Sequence, residues 1–298
     1  MPKDNLTCDD LAQEYDAKGY IVVPDLFTME EVEEMRAALD EMIEEGKKAT
    51  ENTEIFDLEP SHTLDRPRVR RIKEPFIYHP VYNKMIRKPE MIEVLKALVG
   101  PSFRVHQSKI NMKSAEYGSP VEWHQDWLFY PHTNDDVLAV GVMLDDMTPD
   151  NGAMMMVPGS HKGEVYSHEQ DGRFVGAMDP DDCPGIKTAE LITGTAGSCS
   201  FHHVRTVHGS DLNRSGTDRR LCLYHIAAGD AWDIRGFKKA KNWDGWSSTF
   251  IAGEATNRPR MENVPVCLPY PEPLKSGSIY ESQTLLRNTY FDKPPAAE

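Results

Sequence analysis

The spacing of apolar positions changes along the chain. After Thr28-Met29-Glu30-Glu31, apolar residues recur at Val32, Met35, Leu39, Met42 and Ile43, which predicts a helix with one buried face. Thr28 three residues before Glu31 has the form of a capping box. Met91, Val94, Leu95, Leu98 and Val99 repeat the pattern and stop at Gly100-Pro101, where Gly favours a left-handed cap and Pro cannot continue the turn. From Phe103 to Lys113 the period falls to two. Phe103, Val105, Gln107, Lys109 and Asn111 are then expected on one face, with Arg104, His106, Ser108, Ile110 and Met112 on the other. Gln107, Lys109 and Asn111 read either as pocket lining or as a solvent-facing stripe.

Val137 to Leu144 is an unbroken, Val-rich apolar run, which predicts a central strand buried on both faces. Asn151-Gly152 signals a turn before Ala153 to Val157, and Met154 to Met156 read as core filler. Ser198 to His203 and Arg219 to Ala227 supply further strands. Short strands separated by Gly, Pro and Asn turns imply a mainly β fold with flanking helices, a jelly-roll barrel.

A chain of 298 residues with 39% hydrophobic content is long enough for one large core, so a single domain over 1–298 is expected. Residues 1–100 would form a mainly helical part packed on the barrel, 101–230 the barrel, and 231–298, with Trp232, Trp243 and Trp246, a cover or lid. The net charge of −15 argues against nucleic acid and against an anionic membrane surface as partners. Five scattered cysteines without CxxC spacing suggest reduced thiols. Met1-Pro2-Lys3-Asp4-Asn5 has no apolar run of a signal peptide or membrane span, and Pro294-Pro295-Ala296-Ala297-Glu298 is not a peroxisomal address. A cytoplasmic protein is the expectation; nothing in the pattern specifies an oligomeric state.

Among eleven histidines, His124-Gln125-Asp126 is the one His-x-Asp. On an extended segment its two functional side chains point the same way. With the distant His208 they make two imidazoles and one carboxylate, a set that holds Fe(II) on one face and leaves the other open. The bland alternative is a histidine hydrogen-bonded to its neighbouring aspartate. His132, His161, His202, His203 and His225 stand in no comparable motif and are read as structural.

His208 opens the run His208-Gly209-Ser210-Asp211-Leu212-Asn213-Arg214-Ser215-Gly216-Thr217-Asp218-Arg219, and Val157-Pro158-Gly159-Ser160-His161-Lys162-Gly163 lies between it and the His-x-Asp. In order and spacing, these three elements resemble the phytanoyl-CoA dioxygenase family, a branch of the Fe(II)/2-oxoglutarate oxygenases, from about Asp25 to Ala227. The resemblance implies a double-stranded β-helix (jelly-roll, cupin-like) barrel with the site at one mouth. It implies that His124, Asp126 and His208 bind Fe(II), and that 2-oxoglutarate and O2 are cosubstrates. The 2-oxoglutarate C5 carboxylate would meet Arg219 with help from Ser210, a planar two-toothed pairing for which lysine serves less well. Gln107 and Asn111 sit where relatives place cosubstrate or substrate contacts, and Lys109 joins them. The implied reaction is hydroxylation of an aliphatic C–H with release of succinate and CO2. Halogenases of the superfamily carry Gly or Ala in place of Asp126, so hydroxylation is expected here. Arg220 competes with Arg219 for the cosubstrate, since strand alternation puts the two on opposite faces.

A small-molecule substrate is expected. Trp123, Trp127, Phe129 and Tyr130 flank the His-x-Asp as an aromatic wall, or pack. Arg66, Arg68, Arg70, Arg71 and Lys73 form a basic cluster that suits an anionic group, or a solvated strand edge. Trp127, Tyr130 and Arg70 are the candidates for substrate contact. A cupin-like metal isomerase or hydrolase without 2-oxoglutarate is the competing function, and Arg219 with Ser210 argues against it. A non-catalytic binding protein on the same fold would normally have lost a ligand, and none is missing.

Overall fold

A computed structural model describes residues 7–115, 118–236, 242–266, 268, 271–273 and 278–292. The features read at Met1 to Asn5, at Pro294 to Glu298 and at Cys267 lie outside the described residues.

Both expected helices form. Thr28 caps the helix Met29–Gly46: the Glu31 N–H donates to its hydroxyl at 3.3 Å, and its own N–H donates to the Glu31 carboxylate at 2.8 Å. Val32, Met35, Leu39 and Met42 are buried, and Ile43 partly so. The helix Pro89–Val99 ends at Gly100, whose φ of 87° is positive as expected, but its ψ of −179° makes it extended rather than a left-handed cap. A further helix, Cys8–Lys18, escapes the sequence because only Leu11 and Tyr15 of its residues are buried, too few to set a period. These helices pack their apolar faces on one side of a large sheet, in a core that includes Ile21, Phe103, Ile110, Val140, Phe201 and Tyr224.

The large sheet runs in the order Tyr20–Val23, Cys199–His203, Val137–Met143, Arg219–Ala228, Phe103–Lys113, Val69–Lys73, Phe56–Leu58, with Phe250–Ala252 added beside Phe103. Val137–Met143 is buried along its whole length, as its unbroken apolar run requires. A second sheet runs Glu190–Leu191, Met154–Met156, His208–Ser210, Val121–His124. Side chains from both sheets line one cavity, so the sheets stand face to face as a jelly roll.

One expected alternation fails. Where His225 pairs with Gln107, the next pair is Ile226 with Val105, leaving His106 as an extra residue, a β-bulge. The bulge reverses the faces of Phe103–Lys113: Phe103 and Val105 turn into the helix-covered core with Ile110 and Met112, while Gln107, Lys109 and Asn111 face the cavities between the sheets. In the 231–298 segment Arg235, Pro271, Pro273, Ile279 and Tyr280 line the cavities, whereas the tryptophan rings do not. Trp232 and Trp246 stack with ring centroids 4.0 Å apart, and the Arg104 guanidinium sits 4.2 Å from the Trp246 ring, at the Phe103 end of that strand. Trp243 is exposed. The short helix Ile279–Gln283 instead brings Ile279 and Tyr280 over the cavity.

Cys8, Cys183, Cys199 and Cys222 are free thiols. Among the described residues, no helix is long and apolar enough to cross a membrane.

Candidate active site

Three short segments converge on one point. His124 ends the strand Val121–His124, Gln125 continues extended (φ −120°, ψ 130°), and Asp126 starts a tight turn, so the two side chains leave the backbone on the same side. His208 begins its strand directly opposite His124 in the antiparallel register. One ligand atom from each of His124, Asp126 and His208 lies within 4.8 Å of the others, and all three residues are buried. Gln125 fastens the turn: its amide donates to the carbonyls of Glu164 and Arg205, and its oxygen accepts the Tyr166 N–H.

The electrostatics suit a metal ion. His124 Nδ1 lies 2.8 Å from the Glu122 carbonyl and His208 Nδ1 2.9 Å from the Thr206 carbonyl. A carbonyl only accepts, so each Nδ1 carries a proton and each Nε2 offers its lone pair. Burial holds His208 down to about 4 and His124 well below the usual imidazole range, which keeps both rings neutral. Burial alone would raise the Asp126 carboxyl, but the His202 hydrogen bond and the fields of His225, His208 and Lys109 outweigh it and hold the group well below the carboxylate range. Two neutral imidazoles and an ionised carboxylate are the protonation states that Fe(II) ligation needs; the residues present fit the ion.

Two histidines read as structural belong here. His202 Nε2 lies 3.5 Å and His225 Nδ1 3.8 Å from the Asp126 carboxylate, and both rings line the same cavity. Tyr130 is hydrogen-bonded to His225 Nδ1. His132, His161 and His203 do serve the scaffold: His132 packs against Tyr130, and the rings of His161 and His203 lie 5.3 Å apart away from the cavity.

The inner cavity that holds the triad also contains Asn111, Lys113, Ser210 and Arg219. Arg219 is buried and donates to the Gly152 carbonyl at 2.5 Å. Arg220 faces the opposite way and grips Asp145 with two hydrogen bonds, Nε to Oδ2 at 2.9 Å and Nη2 to Oδ1 at 2.7 Å. Of the two competing arginines, Arg219 is therefore the one inside. Lys113, not singled out from the sequence, is buried beside it and donates to the Ser210 hydroxyl at 2.8 Å. Its signal was present, since it continues the period-two series Gln107, Lys109, Asn111. Asn111 Oδ1 is buried with no hydrogen-bond partner. Met154, read as core filler, lines this cavity.

A second cavity of about 560 Å³ opens from the other side of Asp126, lined by Gln107, Lys109, Phe129, Tyr130 and Arg71 among others. Lys109 lines both cavities, whereas Gln107 reaches only the outer one. Two of the three substrate candidates need correction. Trp127 lines neither cavity: its indole N–H donates to the Pro265 carbonyl at 2.9 Å and its ring is buried with Val137, Val204 and Ala227. Arg70 also lines neither, its guanidinium lying 4.6 Å from the Tyr280 ring. Arg71 faces the outer cavity in its place, because Arg71 pairs with Asn111 and Lys73 with Lys109 across adjacent strands. Tyr130, the third, does line the outer cavity.

Comparison with known proteins places the chain as a whole. The family model for phytanoyl-CoA dioxygenase (PhyH) matches residues 15–221. A probable alpha-ketoglutarate-dependent hypophosphite dioxygenase from Stutzerimonas stutzeri is 36% identical over 94% of this chain and 98% of its own length. An ectoine dioxygenase from Bordetella bronchiseptica is 30% identical over 69% of this chain and 70% of its own. Among solved structures, EctD from S. alaskensis with bound Fe superposes with a TM-score of 0.67 at 21% identity, covering 87% of this chain and 89% of that one, which shows the shared cupin-like barrel. These relatives exclude the competing isomerase or hydrolase that does without 2-oxoglutarate. The chain belongs to the phytanoyl-CoA dioxygenase family and is a 2-oxoglutarate-dependent non-heme iron dioxygenase that uses Fe(II), 2-oxoglutarate and O2.

Proposed function

We propose that His124, Asp126 and His208 hold the iron, that Arg219, Lys113, Ser210 and Asn111 hold 2-oxoglutarate, and that the enzyme hydroxylates an aliphatic C–H of a small molecule bound in the outer cavity. The observation that carries this reading is the presence of a neutral-imidazole and carboxylate triad and a buried arginine in one cavity. Bound iron supplies what no side chain has, the activation of O2 at the expense of 2-oxoglutarate, which leaves as succinate and CO2.

The protein supplies position and charge. Arg219 and Lys113 present two cations beside the Ser210 hydroxyl, enough to neutralise the far carboxylate of a dicarboxylic acid in a site that excludes water. The bond from Arg219 to Gly152 leaves the rest of the guanidinium fork for that carboxylate. Asn111, with its unpaired amide oxygen, stands between the cosubstrate end and the triad. His202 and His225 hold the Asp126 carboxylate in one orientation from behind. Tyr280 and Ile279 wall the inner cavity on the side of the short helix, and Ile279 also lines the outer one. A small-molecule substrate agrees with the substrates named for relatives, hypophosphite and ectoine, and with L-proline for a trans-4-hydroxylase from Streptomyces griseoviridis.

Succinate formation from 2-oxoglutarate under air, dependent on added Fe(II), tests the reading. It should vanish in His124→Ala and His208→Ala while their circular dichroism stays that of the wild type. Full turnover in either variant would remove that histidine from the ligand set.

A further inference from the structure

Lys109 is the odd cation of this barrel. Arg219 and Lys113 have hydrogen-bond acceptors, Arg220 has Asp145, and Arg71 and Lys73 share Asp57, with Arg71 Nε at 3.3 Å and Lys73 Nζ at 2.9 Å. The Lys109 ammonium has no hydrogen bond or ion pair to any described residue, and the side chain lines both the triad cavity and the outer one. Lys109 is half-buried, and its side chain opens on the two cavities, so a molecule that fills them would take the ammonium out of water and would have to offer it an acceptor.

Its neighbours add to the imbalance. Lys73 lies directly across from Lys109, and Arg71 across from Asn111, so Arg71 is diagonal to Lys109 on the same face. Arg71 and Lys73 thus share one fully buried carboxylate, Asp57, while the negative fields on Lys109 come from Asp126 and Glu74. Of the acidic groups nearby, Glu74 already accepts the Ser108 N–H at 3.1 Å, Glu54 is exposed at the rim, and Asp126 is taken by the metal in the reading above. Glu74 holds its place through a φ of 54°, a left-handed conformation uncommon for a side chain of its kind.

We propose that Lys109 and Arg71 form the recognition site for the substrate, and that the substrate carries a compact oxyanion, a carboxylate or a phosphorus oxyanion, held beside Asp126. The proposal rests on the assignment of iron and 2-oxoglutarate to the inner cavity and deepens it by naming the substrate class. It moves Lys109 from the cosubstrate to the substrate. The anion supplies the missing partner of Lys109, and Arg71 contributes the guanidinium edge that Asp57 does not occupy. Because Lys109 lies at the junction of the two cavities, an anion on it would sit next to the metal position, with the carbon or phosphorus it carries within reach of the reaction.

Calorimetric titration of the protein loaded with Mn(II), which does not turn over, and saturated with 2-oxoglutarate tests this without activity. The probes are methylphosphonate, phosphite and propionate, with propionamide and propylamine as neutral and cationic counterparts. At least one anionic probe should bind and its uncharged and cationic counterparts should not; whether the phosphorus or the carboxylate arm responds identifies the oxyanion. Lys109→Met and Arg71→Gln should each weaken that probe by at least about tenfold, the loss of one charge-assisted hydrogen bond. Both should leave 2-oxoglutarate affinity within about twofold, and Lys109→Arg should retain the probe. The proposal is overturned if no anionic probe binds, if propionamide binds as well as propionate, or if Lys109→Met weakens 2-oxoglutarate as much as the probe. Absence of Mn(II)-dependent 2-oxoglutarate binding in the wild type, before any probe is added, would instead sink the assignment of the inner cavity itself.

Discussion

His124 and His208 face each other across an antiparallel strand pair, with ring centroids 4.0 Å apart. Burial disfavours the charged form of both rings, and the neighbouring imidazole, His208 for His124 and His202 for His208, adds to that cost. The pair is therefore preset neutral, and Asp126 provides the negative charge that makes the site attractive to a divalent cation.

Asp126→Ala removes that charge and opens a ligand position. Iron-dependent succinate formation should be lost, and the thermal midpoint of the metal-free protein should fall at neutral pH, since the fold stabilises the ionised carboxylate and its removal leaves His202, His225 and Lys109 without their shared anion. Full retained turnover would exclude Asp126 from the metal site.

Arg219→Leu should raise the 2-oxoglutarate KM by roughly ten- to a hundredfold, because a charge-assisted pairing is worth about 1.5–3 kcal/mol. Arg220→Leu should leave that KM nearly unchanged and cost about 1 kcal/mol of stability through loss of the Asp145 pair, discounted because the pair is partly exposed. Steady-state kinetics with both variants decides; the reverse ranking would show that Arg220 is the cosubstrate residue.

Gly152→Ala should couple stability to cosubstrate binding. Gly152 has φ 73°, and an added Cβ would lie 2.6 Å from the Asp211 carbonyl oxygen. Strain of about 1–3 kcal/mol is expected at such a position. Because the Gly152 carbonyl also accepts from Arg219, the 2-oxoglutarate KM should rise together with the fall in melting temperature. A lower melting temperature with unchanged KM would separate the turn from the arginine.

Acid should destabilise the fold from a definite point. Burial holds His132 and His168 at about 4, against an ordinary imidazole near 6.5. Between those values the unfolded chain takes up protons that the folded one refuses, so stability is complete above about 6.5 and falls as pH drops towards about 4. Denaturant midpoints measured at several pH values across this window should decline steadily; a flat profile would mean that these rings charge freely in the folded state.

Much of this was legible in the residues themselves. The Thr28 cap, the buried run Val137 to Leu144 and the turn at Gly152 follow from local rules about hydrogen bonds, alternation and backbone freedom, and the structure contains each of them. Within the segment expected as a cover, the residues that line the cavities are Arg235, Ile279 and Tyr280 and not the tryptophans, because tryptophans mark burial, not location: Trp232 and Trp246 stack on each other, and Trp246 on Arg104. Likewise Trp127 lies next to Asp126 in sequence, yet its ring turns into the core.

Sequence alone put the His124 and Asp126 side chains on one side of the chain, because they lie within one extended tripeptide whose geometry is covalent and local, and the three spaced motifs pointed to the family and so to its class of chemistry. It also narrowed the cosubstrate arginine to two adjacent positions on opposite faces. Tertiary structure decided which face turned inward. It placed Arg219 in the cavity and Arg220 on Asp145, and brought Lys113 beside Ser210 and His202 beside Asp126. At His106 it shifted Phe103–Lys113 by one residue, so that Lys109 points at the site. Those outcomes depend on register between strands far apart in the chain, and a period of two is blind to register because a slip of one residue exchanges the faces without altering the pattern.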